Sequence, residues 1–230
     1  MVLALLISGA ALVALLGLIV YWQVAVAEGA YLGQRIVTLL YDWYAPRYDR
    51  VKSFQPEFDA MMLATPIVRH LLLHQGVGEA NVLDIATGTG RLPQALFASR
   101  SFRGHVTALD LSARMLAQAQ SKLAAYNDHI TWLRHDAQVL PFPANQFDVV
   151  CCLESLEFFP RPLDALCEMA RVLQPGGLLV LSNRIGPDAW KLPGRTLSTP
   201  ALAMELTKLG LHDVQIEAWL VDYDLLRAEK

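Results

Sequence analysis

A glycine-rich turn between two apolar runs constrains the fold of this chain more than any other feature. The run Val82–Ile85 leads into Ala86-Thr-Gly-Thr-Gly90, and a second run, Val106–Leu109, ends in Asp110. Gly90 and Asp110 are about 20 positions apart, the separation expected when two neighbouring parallel strands hold a nucleoside between them. Glycine lets the backbone turn sharply and lets a ligand approach it closely. A carboxylate at a strand end can accept hydrogen bonds from ribose hydroxyls.

Apolar runs alternate with helical patterns over the rest of the chain. Predicted strands are 81–86, 105–110, 129–134, 147–153 and 178–183, with predicted helices at 90–99, 112–125 and 162–173. This alternation predicts an α/β fold with a doubly wound, parallel sheet. A helix at 199–209 precedes two consecutive strands, His212–Trp219 and Leu220–Leu226. A tight connection requires these last two strands to run antiparallel.

The N-terminal end is strongly apolar, since no charged residue occurs between Val2 and Trp22. At about 1.5 Å per residue, a helix over 2–26 is long enough to cross the roughly 30 Å hydrocarbon core of a membrane. A cleaved signal peptide is the alternative, because Ala25-Val-Ala27 resembles a cleavage site. Basic residues follow the apolar run and none precedes it. The positive-inside rule therefore predicts a single-pass membrane protein whose domain is cytoplasmic.

Between the apolar end and the first strand, the pattern predicts short helices that lie on the membrane surface or cap the domain. Pro46 is expected to end the first of them; a second begins near Pro56, and a third begins at Pro66 with Thr65 as its N-cap. Gly76 and Gly78 are expected to close the segment. The predicted organisation is an anchor (1–28), juxtamembrane and cap helices (29–78) and a ligand-binding domain (79–230).

Composition excludes several classes of function. The net charge is −3, so no basic face for nucleic acid is evident. Cys151, Cys152 and Cys167 form no CxxC motif and no even set. Cys151 and Cys152 lie inside an apolar run, so we expect them to be small core residues in a reducing compartment. His70 and His74 have a spacing that can hold a metal, but the sequence places no acid in a ligand pattern with them, so we expect two helix histidines and no metal site.

The glycine loop and two acids give candidate binding residues. Gly88-Thr-Gly-Arg-Leu-Pro93 lacks the third glycine of a dinucleotide site, which favours a smaller ligand. Asp110 is expected to bind ribose; its alternative role is a helix N-cap, which Ser112 could equally fill. Asp136 could accept from an adenine amino group beside the Ala137 amide, or it could be an ordinary acid of a strand-end turn. The sequence leaves these two alternatives for Asp136 open.

The motifs together resemble those of class I S-adenosylmethionine-dependent methyltransferases. VLDIATGTG, ALDLSARML, HDAQVLPFPANQFDVV and ARVLQPGGLLVLSNR stand in the order and spacing of that family. They look closest to the ubiquinone/menaquinone C-methyltransferase-like branch, whose N-terminal YD…YD segment Tyr41–Asp49 also resembles. The resemblance covers nearly half of the chain. It implies a seven-stranded, mostly parallel sheet of order 3-2-1-4-5-7-6 with the last strand antiparallel.

The resemblance also implies roles for individual residues toward S-adenosyl-L-methionine. The backbone from Asp84 through Ala86 and Gly88 to Gly90 would face the methionine part, and Asp110 would hold the ribose. Contacts to the adenine would come from Leu111, Met115, Asp136 and Ala137, and the Leu153 carbonyl would accept from the methionine ammonium. Gln174–Gly177 would form the turn before the fifth strand.

The chemistry implied is methyl transfer, in which a sulfonium leaves without acid assistance and the enzyme aligns the attack and excludes water. Candidate general bases are Glu154, Glu157, Tyr44 and Tyr48, and the sequence selects none of them. The sequence after strand four departs from that of the quinone enzymes, which leaves quinone specificity open.

An anchor and an aromatic segment at 31–58 predict a lipophilic acceptor, such as a quinone precursor or a phospholipid headgroup. The alternative is an accessory subunit of a membrane complex that binds the cofactor without turnover, and a protein partner is compatible with either. A short-chain oxidoreductase is disfavoured because no Tyr-x-x-x-Lys pair occurs.

Overall fold

The structure is a computed structural model that describes residues 2–74 and 80–230, with only the backbone described over residues 2–5. The predicted boundary between residues 78 and 79, and the glycines expected to close the cap segment, lie outside the described residues. The described chain forms an apolar N-terminal helix, a set of cap helices and an α/β domain.

The domain is built on a seven-stranded sheet of order β3-β2-β1-β4-β5-β7-β6, as the resemblance implied. Its strands are β1 (Asn81–Ile85), β2 (His105–Asp110), β3 (Ile130–Arg134), β4 (Phe147–Cys152), β5 (Leu173–Arg184), β6 (His212–Leu220) and β7 (Tyr223–Glu229). The strands β1 to β5 pair in parallel, and β7 runs antiparallel to both of its neighbours. The carboxyl ends of β1, β2 and β4 therefore meet at one edge of the sheet.

Helices cover both faces of the sheet. The α-helices of the described residues are α1 (Val2–Tyr21), which lies apart from the sheet, α2 (Gln34–Lys52), α3 (Pro56–Asp59), α4 (Thr65–His74), α5 (Arg91–Ala98), α6 (Ala113–Lys122), α7 (Pro162–Val172), α8 (Gly186–Trp190) and α9 (Thr199–Lys208). Alternate residues of the central strands enter different cores, so that Val82 packs with α4 and α5 while Leu83 packs with α7 and α9. Burial on both faces explains why these strands are continuous apolar runs. The adjacent Cys151 and Cys152 are buried free thiols in these two cores, as predicted.

The helix α2 continues through Pro46, so the prediction that this proline ends it was wrong. A proline inside a helix removes one backbone hydrogen bond and costs about 3 kcal/mol. Tertiary contacts on either side of Pro46 offset that cost. Asp42 accepts hydrogen bonds from the Ser112 hydroxyl (2.5 Å) and from the Arg114 amide (3.1 Å) at the start of α6.

The two further cap helices that the sequence predicted are one helical segment, in which a π-helical turn over Ala60–Ala64 joins α3 to α4. Thr65 is therefore not an N-cap, and its hydroxyl donates to the Ala60 carbonyl (2.8 Å). Pro66 has no amide to offer the carbonyl of Met62 four residues earlier. Arg227, from β7, donates to that carbonyl instead (2.7 Å). A partner distant in the sequence thus permits a helix that local rules would interrupt.

Two turns also differ from prediction. The last turn falls after Leu220 rather than after Trp219, because the exposed Val221 and the following Asp222 form it. The predicted turn at Gln174–Gly177 is part of an irregular start of β5, where the register with β4 shifts between Phe147 and Val149. Gly176 has φ +75° there, a value that favours glycine.

The N-terminal helix has the length and composition of a membrane span. The segment Leu6–Val26 contains 21 residues with a mean hydropathy of 2.1, and none of its most apolar window is buried against the rest of the chain. The α-helix passes into a π-helical turn over Trp22–Val26, and Trp22 stacks on Tyr31 with ring centroids 5.2 Å apart.

Candidate functional site: a cavity at the strand ends

The carboxyl ends of β1, β2 and β4 border a cavity with about 700 Å³ of unfilled space, which we call the strand-end cavity. Residues of the sheet edge line one side, and α2 lines the other. The predicted site residues on its wall are Tyr48, Ala86, Gly88, Asp110, Leu111, Ala137, Leu153 and Glu154. A smaller pocket beside it, which we call the loop pocket, holds about 350 Å³ and adds Asp84. The two spaces share Tyr48, Ala86, Gly88, Leu153 and Glu154.

The glycine loop forms a cradle with little side-chain cover. Ala86, Gly88 and Gly90 all have positive φ angles, of 54°, 54° and 80°. A Cβ added to Gly88 would meet only the Tyr48 ring, at 3.9 Å, so a side chain there would project into free space in the cavity. A Cβ on Gly90 would instead clash with Leu123 at 2.9 Å. Gly88 thus keeps the cavity open, and Gly90 permits the close approach of α6.

Asp110 is the acid of the cavity wall. One of its carboxylate oxygens accepts from the Gly88 amide and the other from the Ser112 amide, both at 2.8 Å. Burial raises the pKa of Asp110, while these two hydrogen bonds act in the opposite direction. A carboxylate oxygen has about two acceptor positions, so each oxygen can accept a further hydrogen bond from a ligand. Ser112, and not Asp110, caps α6, since its hydroxyl accepts from the Met115 amide (3.1 Å).

Asp84 lies at the carboxyl end of β1 and is 3% exposed. The Thr87 hydroxyl donates to it (2.6 Å), which closes the glycine loop onto the strand. Burial is the largest cause that raises the pKa of Asp84 to about 7, with the nearby Asp110 adding to it. The protonation of Asp84 is therefore sensitive to a cationic ligand near neutral pH.

Three of the predicted cofactor residues line neither the strand-end cavity nor the loop pocket. Met115 is fully buried, and Gly90 contacts α6. The Asp136 carboxylate accepts from the Gln138 amide (2.9 Å), the geometry of an acid in a strand-end turn. The cavity wall at the end of β3 comes from His135 and Ala137 instead.

The segment Tyr41–Asp49 covers the cavity in a repeated pattern. Tyr41 and Tyr48 lie about two helical turns apart on α2, and both line the cavity. Each is followed by an aspartate that fastens α2 to the domain. Asp42 binds the start of α6, as described above, while Asp49 binds the Thr89 hydroxyl of the glycine loop and the Lys122 ammonium (2.8 Å). The spacing of these aspartates is visible in the sequence, but the groups that they bind lie far along the chain.

Burial is the largest cause that raises the pKa values of both cavity tyrosines well above the ordinary value. Nearby carboxylates act in the same direction. Glu28 accepts from the Tyr41 hydroxyl at 2.7 Å, and the charge of Glu154 acts on Tyr48. Both phenols are therefore protonated at neutral pH and act as hydrogen-bond donors rather than as bases.

The candidate base Glu154 is held in an ion-pair cluster. Its two oxygens accept from Lys52 (2.5 Å) and from Arg91 (2.6 Å). Arg91 also makes a forked contact with Asp59, and its guanidinium lies 4.6 Å from the centroid of the Phe54 ring. The cluster joins α2, α3, α5 and the end of β4. Sequence reasoning missed Arg91 and Asp59 because their partners are distant in the sequence.

The other two candidate bases lie away from the strand-end cavity wall. Glu157 is 2% exposed and accepts from Arg184 and from the Tyr223 hydroxyl, both at 2.6 Å. Tyr44 lies on the outer side of Tyr48, with ring centroids 5.8 Å apart. Among the candidates, Tyr48 and Glu154 are thus the ones that border the strand-end cavity.

The cavity fits an adenosine-containing cofactor on the chain's own geometry. A buried carboxylate with free acceptor positions faces it, and the bare Gly88 backbone leaves room for a ligand to lie against the loop. The wall combines these polar groups with Leu109, Leu111 and Leu153, a mixture typical of small-molecule sites.

Comparison with known proteins places this geometry in a family. Residues 83–181 match the model of a methyltransferase domain. A demethylmenaquinone methyltransferase from Clavibacter sepedonicus is 31% identical over 174 residues, which cover 75% of this chain and 68% of the relative. The ubiquinone/menaquinone biosynthesis C-methyltransferase UbiE of Roseobacter denitrificans is 40% identical over 102 residues, which cover 44% of this chain and 40% of the relative.

The structure of a SAM dependent methyltransferase from Aquifex aeolicus is similar in fold, with a TM-score of 0.55 and 22% identity, covering 76% of this chain and 98% of its own. Among the curated relatives compared, the match spans between 40% and 68% of the relative's length. The chain belongs to the class I S-adenosylmethionine-dependent methyltransferases, in the ubiquinone and menaquinone C-methyltransferase branch.

Proposed function

We propose that this protein is a membrane-anchored enzyme that transfers a methyl group from S-adenosylmethionine to a lipophilic acceptor of the quinone-precursor type. The observation that carries the proposal is that two spaces lie side by side. The strand-end cavity shares Tyr41 and Tyr48 with an aromatic groove at the base of the apolar helix. The family and the named activities of the relatives support methyl transfer and an acceptor related to quinones.

In this proposal the sheet edge holds the cofactor. Asp110 accepts from the ribose hydroxyls with the acceptor positions that its amide partners leave free. Leu111 and Ala137 contact the base, and the backbone around Ala86 and Gly88 lies against the amino-acid portion. The cofactor supplies a methyl group activated by its sulfonium. An ionised Asp84 in the loop pocket favours that positive charge.

The aromatic groove is the proposed entry for the acceptor. It has about 880 Å³ of unfilled space, and its lining residues are Val24, Ala25, Glu28, Leu40, Tyr41, Trp43, Tyr44, Tyr48 and Lys52. Val24 and Ala25 belong to the last turn of the apolar segment Leu6–Val26. A groove that begins at the end of a membrane span would receive an acceptor directly from the bilayer.

The outer face of α2 is suited to the membrane surface. Leu39 and Trp43 are 61% and 66% exposed on it, and Leu32, just before the helix, is 49% exposed. The Arg47 guanidinium lies 5.5 Å from the centroid of the Trp43 ring. Exposed apolar and aromatic side chains beside basic ones are typical of helices that lie in the interface. These features, with the basic residues that follow the apolar segment, support a single-pass protein with a cytoplasmic domain.

Alignment and the exclusion of water are the main tasks of the protein in this reaction, because a sulfonium leaves without acid assistance. The rings of Tyr41 and Tyr48 cover the cavity. The Tyr48 phenol can donate to an acceptor oxygen, whereas the Tyr41 hydroxyl donates to Glu28. Glu154 orients Lys52 and Arg91 rather than removing a proton, since both of its oxygens already accept from cations. The acceptor's proton is then lost to water, either before the attack, when the acceptor reacts as its anion, or after the new bond to the methyl carbon has formed.

The proposal is tested with the full chain in lipid nanodiscs and S-adenosylmethionine carrying a labelled methyl group. A set of prenylated hydroquinones is compared with soluble phenols and amines, and products are identified by mass spectrometry. We expect transfer to the prenylated set. Transfer confined to soluble acceptors would refute the lipophilic assignment, and cofactor binding without any transfer would indicate a non-catalytic subunit.

A groove variant sharpens this test. Ala25→Trp fills the aromatic groove without touching the strand-end cavity, so we expect KM for the prenylated acceptor to rise at least tenfold while the Kd for S-adenosylhomocysteine stays unchanged. Ala10→Trp, elsewhere in the apolar helix, is the matched control and should change neither. Equal KM values in the two variants would place the acceptor's entry outside the groove.

A further inference from the structure

A second groove lies at the opposite edge of the sheet from the strand-end cavity. Its lining includes His70, His74, Asp213 and Glu229, with about 970 Å³ of unfilled space, and we call it the histidine groove. Glu229 pairs with Leu178 near the start of β5, so the groove is at the amino ends of the parallel strands. Its residues take no part in the proposed methyl transfer.

The groove brings an acid to the histidine pair that the sequence left without one. One ligand atom from each of His70, His74 and Glu229 can be chosen so that all lie within 4.8 Å of one another. The histidines are one helical turn apart on α4, with ring centroids 4.4 Å apart, and Glu229 comes from the end of β7. Two imidazoles and one carboxylate are a donor set that suits Zn²⁺.

Backbone carbonyls fix which nitrogen of each ring is free. The His70 Nε2 atom lies 3.0 Å from the Gly176 carbonyl oxygen, and the His74 Nδ1 atom lies 2.9 Å from the His70 carbonyl oxygen. A carbonyl oxygen only accepts, so both of these nitrogens carry their protons. In the neutral rings, Nδ1 of His70 and Nε2 of His74 are then unprotonated. Metal-binding histidines are oriented by the same kind of bond from the second nitrogen.

The contact between His70 and Glu229 also points to a cation. The unprotonated Nδ1 of His70 lies 3.5 Å from a carboxylate oxygen of Glu229, while the His70 side chain is only 6% exposed. The buried Nδ1 lone pair of His70 therefore faces another acceptor instead of a donor, while the Glu229 carboxylate is 32% exposed. A divalent ion between them would satisfy both, whereas a second proton on His70 would make an ordinary ion pair.

We propose that His70, His74 and Glu229 bind one Zn²⁺ ion and so fasten α4 to the final strand. Zinc sites with three protein ligands keep a fourth position for water. Asp213, which lines the same groove, and His212 each have a ligand atom within 4.8 Å of one from Glu229. A site at this edge of the sheet stabilises the fold and does not touch the cofactor.

The test uses the full chain in detergent, stripped with EDTA and then titrated with Zn²⁺ in a calorimeter. We expect one equivalent to bind and the thermal midpoint to rise, because a ligand that binds only the folded state stabilises it. His74→Ala and Glu229→Gln should each weaken the affinity at least tenfold. His74 is exposed, so this variant tests the site without disturbing the core.

His129→Ala is the matched control, because it removes an exposed histidine far from the groove and should leave Zn²⁺ affinity unchanged. Mg²⁺ should not replace Zn²⁺, since it prefers oxygen ligands. Absence of Zn²⁺ binding, or binding that survives both ligand substitutions, would refute the site and leave a protonated His70–Glu229 ion pair. Binding of S-adenosylhomocysteine is measured in the same samples and should be the same with and without Zn²⁺.

Discussion

Replacement of Glu154 by glutamine separates a structural role of this residue from a catalytic one. In the structure, the Glu154 side chain is 8% exposed and is paired with Arg91, which is 10% exposed, and with Lys52, which is 32% exposed. Breaking a buried ion pair on one side costs about 3–5 kcal/mol, because the remaining charge stays buried without its partner. Glutamine keeps the shape and one acceptor oxygen, so we expect the lower end of this range, about 3 kcal/mol.

A loss of that size lowers the thermal midpoint by about 6–12 °C, taking roughly 2–4 °C per kcal/mol for a domain of this size. Urea unfolding of the full chain in detergent, followed by tryptophan fluorescence, measures the loss of unfolding free energy. Glu205→Gln is the matched control, because its pair with Lys208 is exposed and is worth less than about 1 kcal/mol. At a temperature where the variant is folded, the pH profile of its methyl transfer should match that of the wild type. Unchanged stability with kcat reduced more than about a hundredfold would show that Glu154 is a general base.

Three further substitutions test the strand-end cavity. Asp110→Ala should weaken S-adenosylhomocysteine binding by about 2–4 kcal/mol in calorimetry, from the loss of hydrogen bonds to a charged group; unchanged affinity contradicts the ribose assignment. Burial raises the pKa of Asp84 to about 7 from an ordinary 3.8, so the folded state favours the protonated side chain. The resulting contribution of Asp84 to the free energy of unfolding is complete below pH 3.8 and is lost as pH rises through 7. Wild-type unfolding free energy should therefore fall by up to about 4 kcal/mol from pH 4 to 8 relative to Asp84→Asn, and parallel pH curves would refute this. Gly90→Ala should destabilise the fold by about 2 kcal/mol, since φ is +80° and the new Cβ would lie 2.9 Å from Leu123; a thermal midpoint equal to that of wild type would contradict this.

The sheet and the cavity wall could be predicted because their signals are local. A parallel strand buried on both faces is an apolar run, and the ligand-facing groups follow directly where the run ends, as Asp110 and Leu153 do. The glycine positions are equally local, because a positive φ is a property of one residue. The strand order itself came from the family resemblance, and periodicity alone gave only the antiparallel last pair.

The cap could not be predicted in the same way, because its geometry depends on partners far along the chain. Pro46 and Pro66 are breakers by local rules, yet the contacts of Asp42 and the bond from Arg227 to Met62 let the helices continue. Arg91 has no motif of its own, and its importance arises from Asp59 and Glu154, which lie on other elements. The groove that joins Glu229 to the histidine pair depends on the same long-range topology.

In the proposed function, the helix α2 serves both the cofactor and the acceptor. Its inner face places Tyr41 and Tyr48 over the strand-end cavity, while its outer face exposes Leu39 and Trp43. A helix turns 100° per residue, so aspartates that directly follow the two tyrosines fall beside them and can hold the inner face against α6 and the glycine loop. The outer face is then free to meet the bilayer. Under the proposed topology, the orientation of α2 that places Tyr41 and Tyr48 over the strand-end cavity also turns its apolar face toward the membrane from which the acceptor comes.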